Sequence, residues 1–363
     1  MGPSVVQLPK EDDMAHKVID LHCDSIFHIM DGKDLRVSTD GVHVDLPRLK
    51  KGRVGLQVFA VYIPPNTEHD KAFLCAAKGL DAVDAFSSSH EDLIHVENAA
   101  ELKSVLQGEK VGIMSAIENG LAIEDSLDKL KELRQRKVRI MTLVHSQNMS
   151  WIESCTGTGD FKVDTGRGLS SFGEKVVDAM NDLGIIPDVS HSSVAAFWDV
   201  IKRSKKPIIA SHSCALSICG AKRNLNDDQL KALGESGAVV GINFASSFLS
   251  EPYRLAYMEA RANNPPPASI TVSDILTRSP KISVPVPHTI IADHIDYMIN
   301  IAGEDCLALG SDFDGIPAAP DGVTGSDYYP VLEDELKKRG YSDKRIEKIF
   351  YGNFLRVLEA WDK

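Results

Sequence analysis

The stretch "VIDLHCD", residues 18–24, runs from a short apolar segment directly into an imidazole and a carboxylate. His22 and Asp24 stand two positions apart, so on an extended strand both side chains point to the same face. A strand that belongs to a core but ends on ionisable groups indicates a site at its carboxyl end. The same arrangement recurs along the chain, and this recurrence decides the predicted fold.

Eight short runs are nearly continuous in apolar residues, which is typical of parallel strands covered on both faces. They occupy residues 17–22, 54–63, 110–117, 138–144, 184–190, 206–211, 238–245 and 306–311. Helical patterns separate most of them or follow the last, at residues 126–137, 171–184, 226–237, 288–303 and 342–361. This alternation predicts an α/β fold, a (β/α)8 TIM-type barrel. A doubly wound open sheet is less favoured, because no GxGxxG turn follows the first strand.

Residues 1–363 are interpreted as a single barrel with two additions. Residues 1–16 form an N-terminal tail, and the Pro-rich segment 251–287 breaks the strand–helix rhythm. Long excursions inside a compact domain are often functional. We expect this insertion to be a loop with a short helix over the barrel mouth, or else a solvated insertion without a role.

Composition excludes several classes of protein. A net charge of −12 argues against a nucleic-acid partner and against a polybasic membrane-surface protein. No signal peptide is visible, and no stretch approaches the ~18 apolar residues of a membrane span. The six cysteines show neither a CxxC pair nor regular spacing, so they are expected to be reduced. The sequence therefore predicts a cytoplasmic protein with no nucleic-acid or membrane partner.

Residues that can bind a metal or move a proton follow six of the predicted strands. They are His22 and Asp24, Glu118, His145, His191, His212 and Asp312, in chain order. In a barrel these carboxyl ends meet at one face. Singly, each residue could be a hydrogen-bonded loop residue or a helix cap. Together they match the donors that bind zinc and related divalent ions, and Glu118 could bridge two ions about 3.5–4 Å apart.

Asp20 lies on the same strand as His22 and needs its own interpretation. It could orient a ligand from behind, or it could cap structure locally. The sequence favours local capping.

Longer motifs now identify a family. They are "GLSSFGEKVVDAMNDLGIIPDVSHSS" (168–193), "SHSCALSICGAKRNLNDDQLKAL" (211–233) and "LGSDFDG" (309–315). With these motifs in order, the chain resembles the membrane (renal) dipeptidase family of zinc peptidases, within the amidohydrolase superfamily. The resemblance implies a binuclear zinc site in which His22 and Asp24 bind one ion, His191 and His212 bind the other, and Glu118 bridges the two. It also implies that His145 lies beside the scissile carbonyl and that Arg223 binds the substrate carboxylate. Asp312 would then move the proton.

The resemblance implies a metal-dependent dipeptidase that uses a zinc-bridging hydroxide and tolerates a D-residue at the carboxyl-end position. Related barrels often pair, so a homodimer or a higher homo-oligomer is expected. Two features depart from the family pattern: "ENGLAIE" begins at Glu118 where Gly-Gly-His usually follows, and no cysteine stands beside His145. Because neither a leader nor an anchor tail is visible, a soluble microbial relative is expected.

Two alternatives stay open. The first is an amidohydrolase for another small amide, an N-acyl amino acid or a lactone, and Arg223 distinguishes it from a dipeptidase. The second is a non-catalytic barrel that binds metal or peptide, which the presence of Asp312 argues against. The same donors also accept manganese, cobalt or iron.

Overall fold

The computed structural model describes residues 16–156, 167–263 and 279–363. Within these ranges nine strands form one sheet, and eight of them close into a parallel barrel through the pairing of β2 with β4. The strands are β1 (Val18–Cys23), β2 (Val54–Tyr62), β3 (Leu93–His95), β4 (Val111–Glu118), β5 (Ile140–Thr142), β6 (Ile186–Asp188), β7 (Ile209–Ser213), β8 (Val239–Ile242) and β9 (Leu307–Leu309). The predicted (β/α)8 barrel is confirmed. The additional strand β3 pairs outside the barrel with the start of β4.

Each predicted apolar run overlaps one barrel strand. Three strands, β1, β4 and β7, extend one or two residues past the run, and several others are shorter than the run. The run 138–144 contributes only three residues, Ile140–Thr142, to its ladder. Its flanking residues Val138, Leu143 and Val144 are fully buried. Apolar character therefore extends beyond the hydrogen-bonded ladder, because the core continues past the strand ends.

Helices alternate with the barrel strands and cover them. They are α1 (Ile26–Met30), α2 (Leu46–Lys51), α3 (Ala72–Ser87), α4 (Ala99–Leu106), α5 (Leu127–Gln135), α6 (Ser171–Leu183), α7 (Val194–Arg203), α8 (Asp227–Glu235), α9 (Ser246–Leu249), α10 (Glu251–Asn263), α11 (Ile290–Ala302), α12 (Tyr329–Lys338), α13 (Asp343–Glu347) and α14 (Asn353–Trp361). The predicted helix 342–361 is two helices joined by a π turn at Lys348–Gly352. Asn353 holds this break against the barrel, because its side chain donates to the carbonyls of Glu304 and Leu307.

The C-terminal helix closes one end of the barrel. Phe354, Val357, Leu358 and Trp361 of α14 belong to the apolar cluster that fills the barrel interior. The Trp361 indole N–H donates to the carbonyl of Pro207, just before β7 begins. α14 therefore lies at the amino ends of the strands, and His22, Glu118 and His212 lie at the opposite, carboxyl ends.

The predicted insertion 251–287 is partly described. The expected short helix is present as α10, and residues 279–287 continue without helix or strand. Val286 and Asp321 exchange two hydrogen bonds, which fixes the end of this segment. Residues 264–278, and the predicted tail up to residue 15, lie outside the described residues. None of the described helices combines the length and the apolar character needed to cross a membrane.

Candidate active site

The carboxyl ends of the barrel strands surround a cavity of about 130 Å³. Its walls are Asp24, Tyr62, Glu118, His145, His191, His212, Phe248, Asp312 and Gly315. His22 lies at the edge of this group on β1, with its ring 3.8 Å from that of His212. Arg223 stands at the other side, where it donates to the main chain of His212. The structure thus brings all eight predicted site residues together.

Glu118, the last residue of β4, lies at the centre of the cluster. Its Oε2 is 3.6 Å from His22 Nε2, which is itself 3.7 Å from Asp24 Oδ2. Its Oε1 is 3.0 Å from His191 Nε2 and 3.6 Å from His212 Nε2. One carboxylate therefore presents each oxygen to a different set of donors. We call His22 and Asp24 the first half of the site, and His191 and His212 the second half.

These donors fit divalent cations. Among the residues that the structure describes, three groups have ligand atoms within 4.8 Å of one another: His22, Glu118 and His212; Glu118, His145 and His191; His22, Asp24 and Asp312. His22 Nε2 is buried and has no hydrogen-bond partner among the described residues. Burying a polar nitrogen without a partner is costly. Imidazole and carboxylate together suit zinc and its neighbours in the first transition row.

Two carboxylates of the site, Asp24 and Asp312, resist ionisation. Burial raises the pKa of Asp24 to about 6. Burial, with Asp24 and Glu118 close by, raises the pKa of Asp312 to about 8, although the nearby His22 opposes this. A bound cation would favour the ionised carboxylates and lower both pKa values. Both side chains thus lie where a bound cation would offset the cost of burying their negative charge.

The imidazoles divide into two kinds. Burial, together with the positive charge of Arg223, lowers the pKa of His145 to about 3. Burial also holds the pKa values of His191 and His212 well below the usual range. In His22 the effect of burial is outweighed by the adjacent carboxylates, which raise its pKa. The second half thus presents neutral imidazoles, the form that binds metals.

Asn243 holds Asp312 in a defined orientation. Its amide Nδ2 donates to Asp312 Oδ2 at 2.8 Å. Its Oδ1 accepts the backbone N–H of Ala245 at 2.6 Å, which fixes which end of the amide donates. Asp312 Oδ1 is left facing the cluster, 3.9 Å from His22 Nε2. One oxygen of Asp312 is pinned and the other can exchange a proton with a ligand.

His145 lies on the wall beside the second half. Its Nε2 is 3.8 Å from Glu118 Oε1, and its ring centroid is 4.1 Å from that of His191. Tyr62 packs edge-on against it, with the ring centroids 4.7 Å apart. This packing fixes the imidazole plane at the edge of the cavity, where it can donate to a bound carbonyl.

Arg223 is a buried cation with spare donors. Only 8% of its surface is exposed. Its Nη2 donates to the carbonyl of His212 at 3.0 Å and its Nη1 reaches Ser213 Oγ at 3.4 Å, while Nε has no partner in the described part of the chain. Within the described ranges none of its contacts is a carboxylate. The Phe248 ring stacks near it, 5.7 Å from Cζ. A buried guanidinium with these neighbours can bind a ligand carboxylate.

Four site residues were not predicted from the sequence. Tyr62 and Asn243 stand where β2 and β8 end, so the strand-end rule applied to those two strands would have found both. Phe248 enters from the short helix α9, which has no comparable signal. Position 315 has no room for a side chain, because a Cβ there would lie 1.9 Å from Asp24 Oδ2. Sequence spacing does not reveal such a distance.

Asp20 has a wider role than the local cap that the sequence favours. It accepts one nearby bond, from the backbone N–H of His22 at 3.3 Å. Its other bonds come from far along the chain: Ser311 donates through N–H at 2.9 Å and Oγ at 2.6 Å, and Tyr329 donates through its hydroxyl at 2.6 Å. Asp20 therefore joins β1 to the loop that carries Asp312.

The comparison with known families agrees with this geometry. The sequence model of the membrane dipeptidase family (peptidase family M19) matches residues 13–363. This chain belongs to that family. Dipeptidase 3 of Rattus norvegicus is 29% identical over 313 residues, which are 86% of this chain and 57% of the relative. Dipeptidase 3 of Mus musculus is 29% identical over 325 residues, 90% of this chain and 59% of the relative. The chain thus spans less than two thirds of these curated relatives.

Solved structures of this family superpose on the barrel. The metallopeptidase called dipeptidase AC has a TM-score of 0.81 at 27% identity, over 96% of this chain and 99% of that one. A metallopeptidase from Rhodobacter sphaeroides, liganded with a phosphinate mimic of the dipeptide L-Ala-D-Ala, has a TM-score of 0.79 at 26% identity, over 95% and 99%. The predicted family and fold are both confirmed.

Proposed function

We propose that this chain is a metal-dependent dipeptidase that hydrolyses the peptide bond of free dipeptides. One observation carries the proposal: the two oxygens of Glu118 face two pairs of donors, at a cavity beside the buried guanidinium of Arg223, which contacts no carboxylate among the described residues. Family membership supports the same chemistry. The proposal covers residues 1–363 as one catalytic barrel.

We propose that the site holds two zinc ions. His22, Asp24 and Glu118 would hold one, and Glu118, His191 and His212 would hold the other. When bound, such ions supply a water activated as a nucleophile near neutral pH and polarise a carbonyl oxygen. Manganese, cobalt or iron would suit the same donors, so the identity of the metal is for direct analysis to decide.

Two side chains would act on the reacting groups. His145, held by Tyr62, donates a hydrogen bond to the carbonyl oxygen as negative charge develops on it. Asp312 accepts the proton of the attacking water and delivers it to the leaving amine. Asn243 keeps the working oxygen turned toward the cavity.

Arg223 would recognise the terminal carboxylate of the dipeptide. A guanidinium offers parallel N–H donors that match a carboxylate, and burial strengthens the pairing. The cavity of about 130 Å³ and the Tyr62 and Phe248 rings favour small side chains. Acceptance of a D-residue at the carboxyl end is part of the proposal, supported by the L-Ala-D-Ala mimic bound to the Rhodobacter sphaeroides relative.

A panel of small substrates tests this function. It contains L-Ala-L-Ala, L-Ala-D-Ala and their N-acetylated and C-terminally amidated forms, each with zinc and with a chelator. We expect cleavage of the free dipeptides alone, and loss of cleavage on chelation. Equal cleavage of blocked forms would instead indicate an amidohydrolase for another amide. No cleavage at saturating metal would indicate a non-catalytic barrel.

Location and assembly complete the proposal. All six cysteines carry free thiols, as cysteines do in reducing compartments, which supports a cytoplasmic location. A homodimer or a higher homo-oligomer stays a prediction, and sedimentation analysis of the purified chain tests it. A single species at the 39.6 kDa of the monomer would contradict it.

A further inference from the structure

A second buried aspartate lies beneath the second half of the site. Asp188 ends β6 and is fully buried. Its Oδ1 accepts the backbone N–H of Ser190 at 3.0 Å and that of Ser211 at 2.8 Å. These two serines immediately precede His191 and His212 in the chain. One carboxylate oxygen thus ties together the two segments that carry the imidazoles of the second half.

The other oxygen of Asp188 fixes the direction of a hydrogen-bond chain. Asp188 Oδ2 accepts the Ser211 hydroxyl at 2.5 Å. Because a serine hydroxyl has one proton, Ser211 Oγ must accept from its next neighbour, His212 Nδ1, at 2.7 Å. The proton of the His212 ring is therefore on Nδ1. Its Nε2 therefore carries the ring's lone pair, 3.0 Å from His191 Nε2 and 3.6 Å from Glu118 Oε1.

Asp188 forms no ion pair with another described residue. In the described part of the chain its partners are neutral N–H and O–H groups from Ser190, Ser211 and Thr142. A buried carboxylate is costly, and hydrogen bonds from several donors offset that cost. What an ionised carboxylate provides here, and an amide does not, is a group that only accepts. The hydrogen bonds from the His212 ring and from the Ser211 hydroxyl must therefore both be donated in the direction of Asp188.

We propose that Asp188 is a positioning residue for the second half, acting through Ser211 on the ring tautomer of His212. This inference rests on the two-ion site proposed above. Residues behind a metal ligand commonly set its tautomer and basicity. Asp20 is the counterpart under the first half, because it accepts from the backbone of His22. The two aspartates therefore predict site-selective effects on metal binding.

The variant Asp188→Asn reverses the direction of these hydrogen bonds, and the side chain keeps almost the same shape. An amide Nδ2 donates to Ser211 Oγ, so the serine proton turns to His212 Nδ1 and the ring proton moves to Nε2. Nitrogen NMR of the metal-free, ¹⁵N-histidine-labelled protein reads this tautomer directly. Calorimetric zinc titration then measures each ion. We expect one ion to bind as before and the other to bind about 10–100-fold more weakly.

Matched variants keep the test decisive. Ser211→Ala removes the relay but leaves both backbone bonds of Asp188, and it should also weaken one ion. Asp20→Asn should weaken binding of the other ion, so each of the two single variants should affect a different ion. If Asp188→Asn does not fold, as judged by circular dichroism, Ser211→Ala carries the test.

The outcomes separate this inference from the proposed function. If the unaltered chain binds a single zinc ion, the proposed two-ion site is wrong, and the positioning role proposed for Asp188 is refuted as well. If it binds two ions, and Asp188→Asn or Ser211→Ala leaves both affinities and the His212 tautomer unchanged, only the positioning role is refuted. Equal weakening of both ions by each variant would indicate general loosening and would also refute it.

Discussion

Replacement of Arg223 by methionine tests how the site selects its substrate. Methionine keeps most of the side-chain volume and the contact with Phe248, but it removes the charge and all five N–H donors. Two of those donors hold the carbonyl of His212 and the hydroxyl of Ser213. The others, including Nε, which has no partner among the residues that the structure describes, are left for a ligand. We therefore expect the variant to fold and to lose recognition of a terminal carboxylate.

The size of this loss follows from burial. Unit charges about 4 Å apart attract by about 4 kcal/mol at an effective dielectric constant near 20. Removing one partner of a buried charge pair typically costs about 2–5 kcal/mol. With Arg223 at 8% exposure, we take a value of about 3 kcal/mol. At about 1.4 kcal/mol per tenfold, kcat/KM for a free dipeptide should fall roughly 10²-fold.

The assay compares a free dipeptide with its C-terminal amide in both proteins. The preference of the unaltered enzyme for the free form should nearly vanish in Arg223→Met. The exposed neighbour Lys222 provides the control, and Lys222→Met should change the preference less than about threefold, as expected for an exposed charge. If Arg223→Met slowed the free dipeptide and the amide by the same factor, the arginine would not be reading the carboxylate.

Other predictions concern spacing, proton transfer and pH. Gly315→Ala places a Cβ 1.9 Å from Asp24 Oδ2, so metal content and kcat/KM should fall, the latter at least about tenfold; unchanged zinc content would contradict this. Asn243→Ala removes a donor to Asp312, so kcat should drop about 10–100-fold with little change in KM, and the acid limb of its pH profile should move upward. Burial lowers the pKa of His294 to about 4, so only the unfolded chain gains this proton between pH 6.5 and 4, and stability is lost as pH falls through that window. Between pH 7 and pH 5, the free energy of unfolding measured in urea should fall by roughly 2 kcal/mol less in His294→Gln than in the unaltered chain.

The fold was predictable because parallel strands buried on both faces leave a local signal. Continuous apolar runs and the helices between them follow from burial alone, and each of the eight barrel strands overlaps a predicted run, although β1, β4 and β7 extend one or two residues beyond it. The strand β3 and the π turn at Lys348–Gly352 had no such signal. Each depends on a partner distant in sequence: β3 on β4, and the turn on carbonyls that Asn353 reaches.

The site was predictable where strand ends determine it. His22, Glu118 and His212 stand at or near the carboxyl ends of barrel strands, so topology alone brings them together. Phe248 could not be assigned in this way, and the position of Asp188 at the end of β6 does not by itself show its role. Phe248 reaches the cavity through a loop helix, and the importance of Asp188 appears only from the direction of its hydrogen bonds. Distances and donor directions of this kind are set by the folded structure.

We propose that Glu118 joins two metal ions in one dipeptide-cleaving site. Adding zinc stepwise to the metal-free enzyme while following L-Ala-D-Ala hydrolysis tests it most directly. We expect turnover to rise until two zinc ions are bound per chain, and Glu118→Gln to weaken both ions. Full turnover with one ion per chain, or two tightly bound ions in Glu118→Gln, would contradict it.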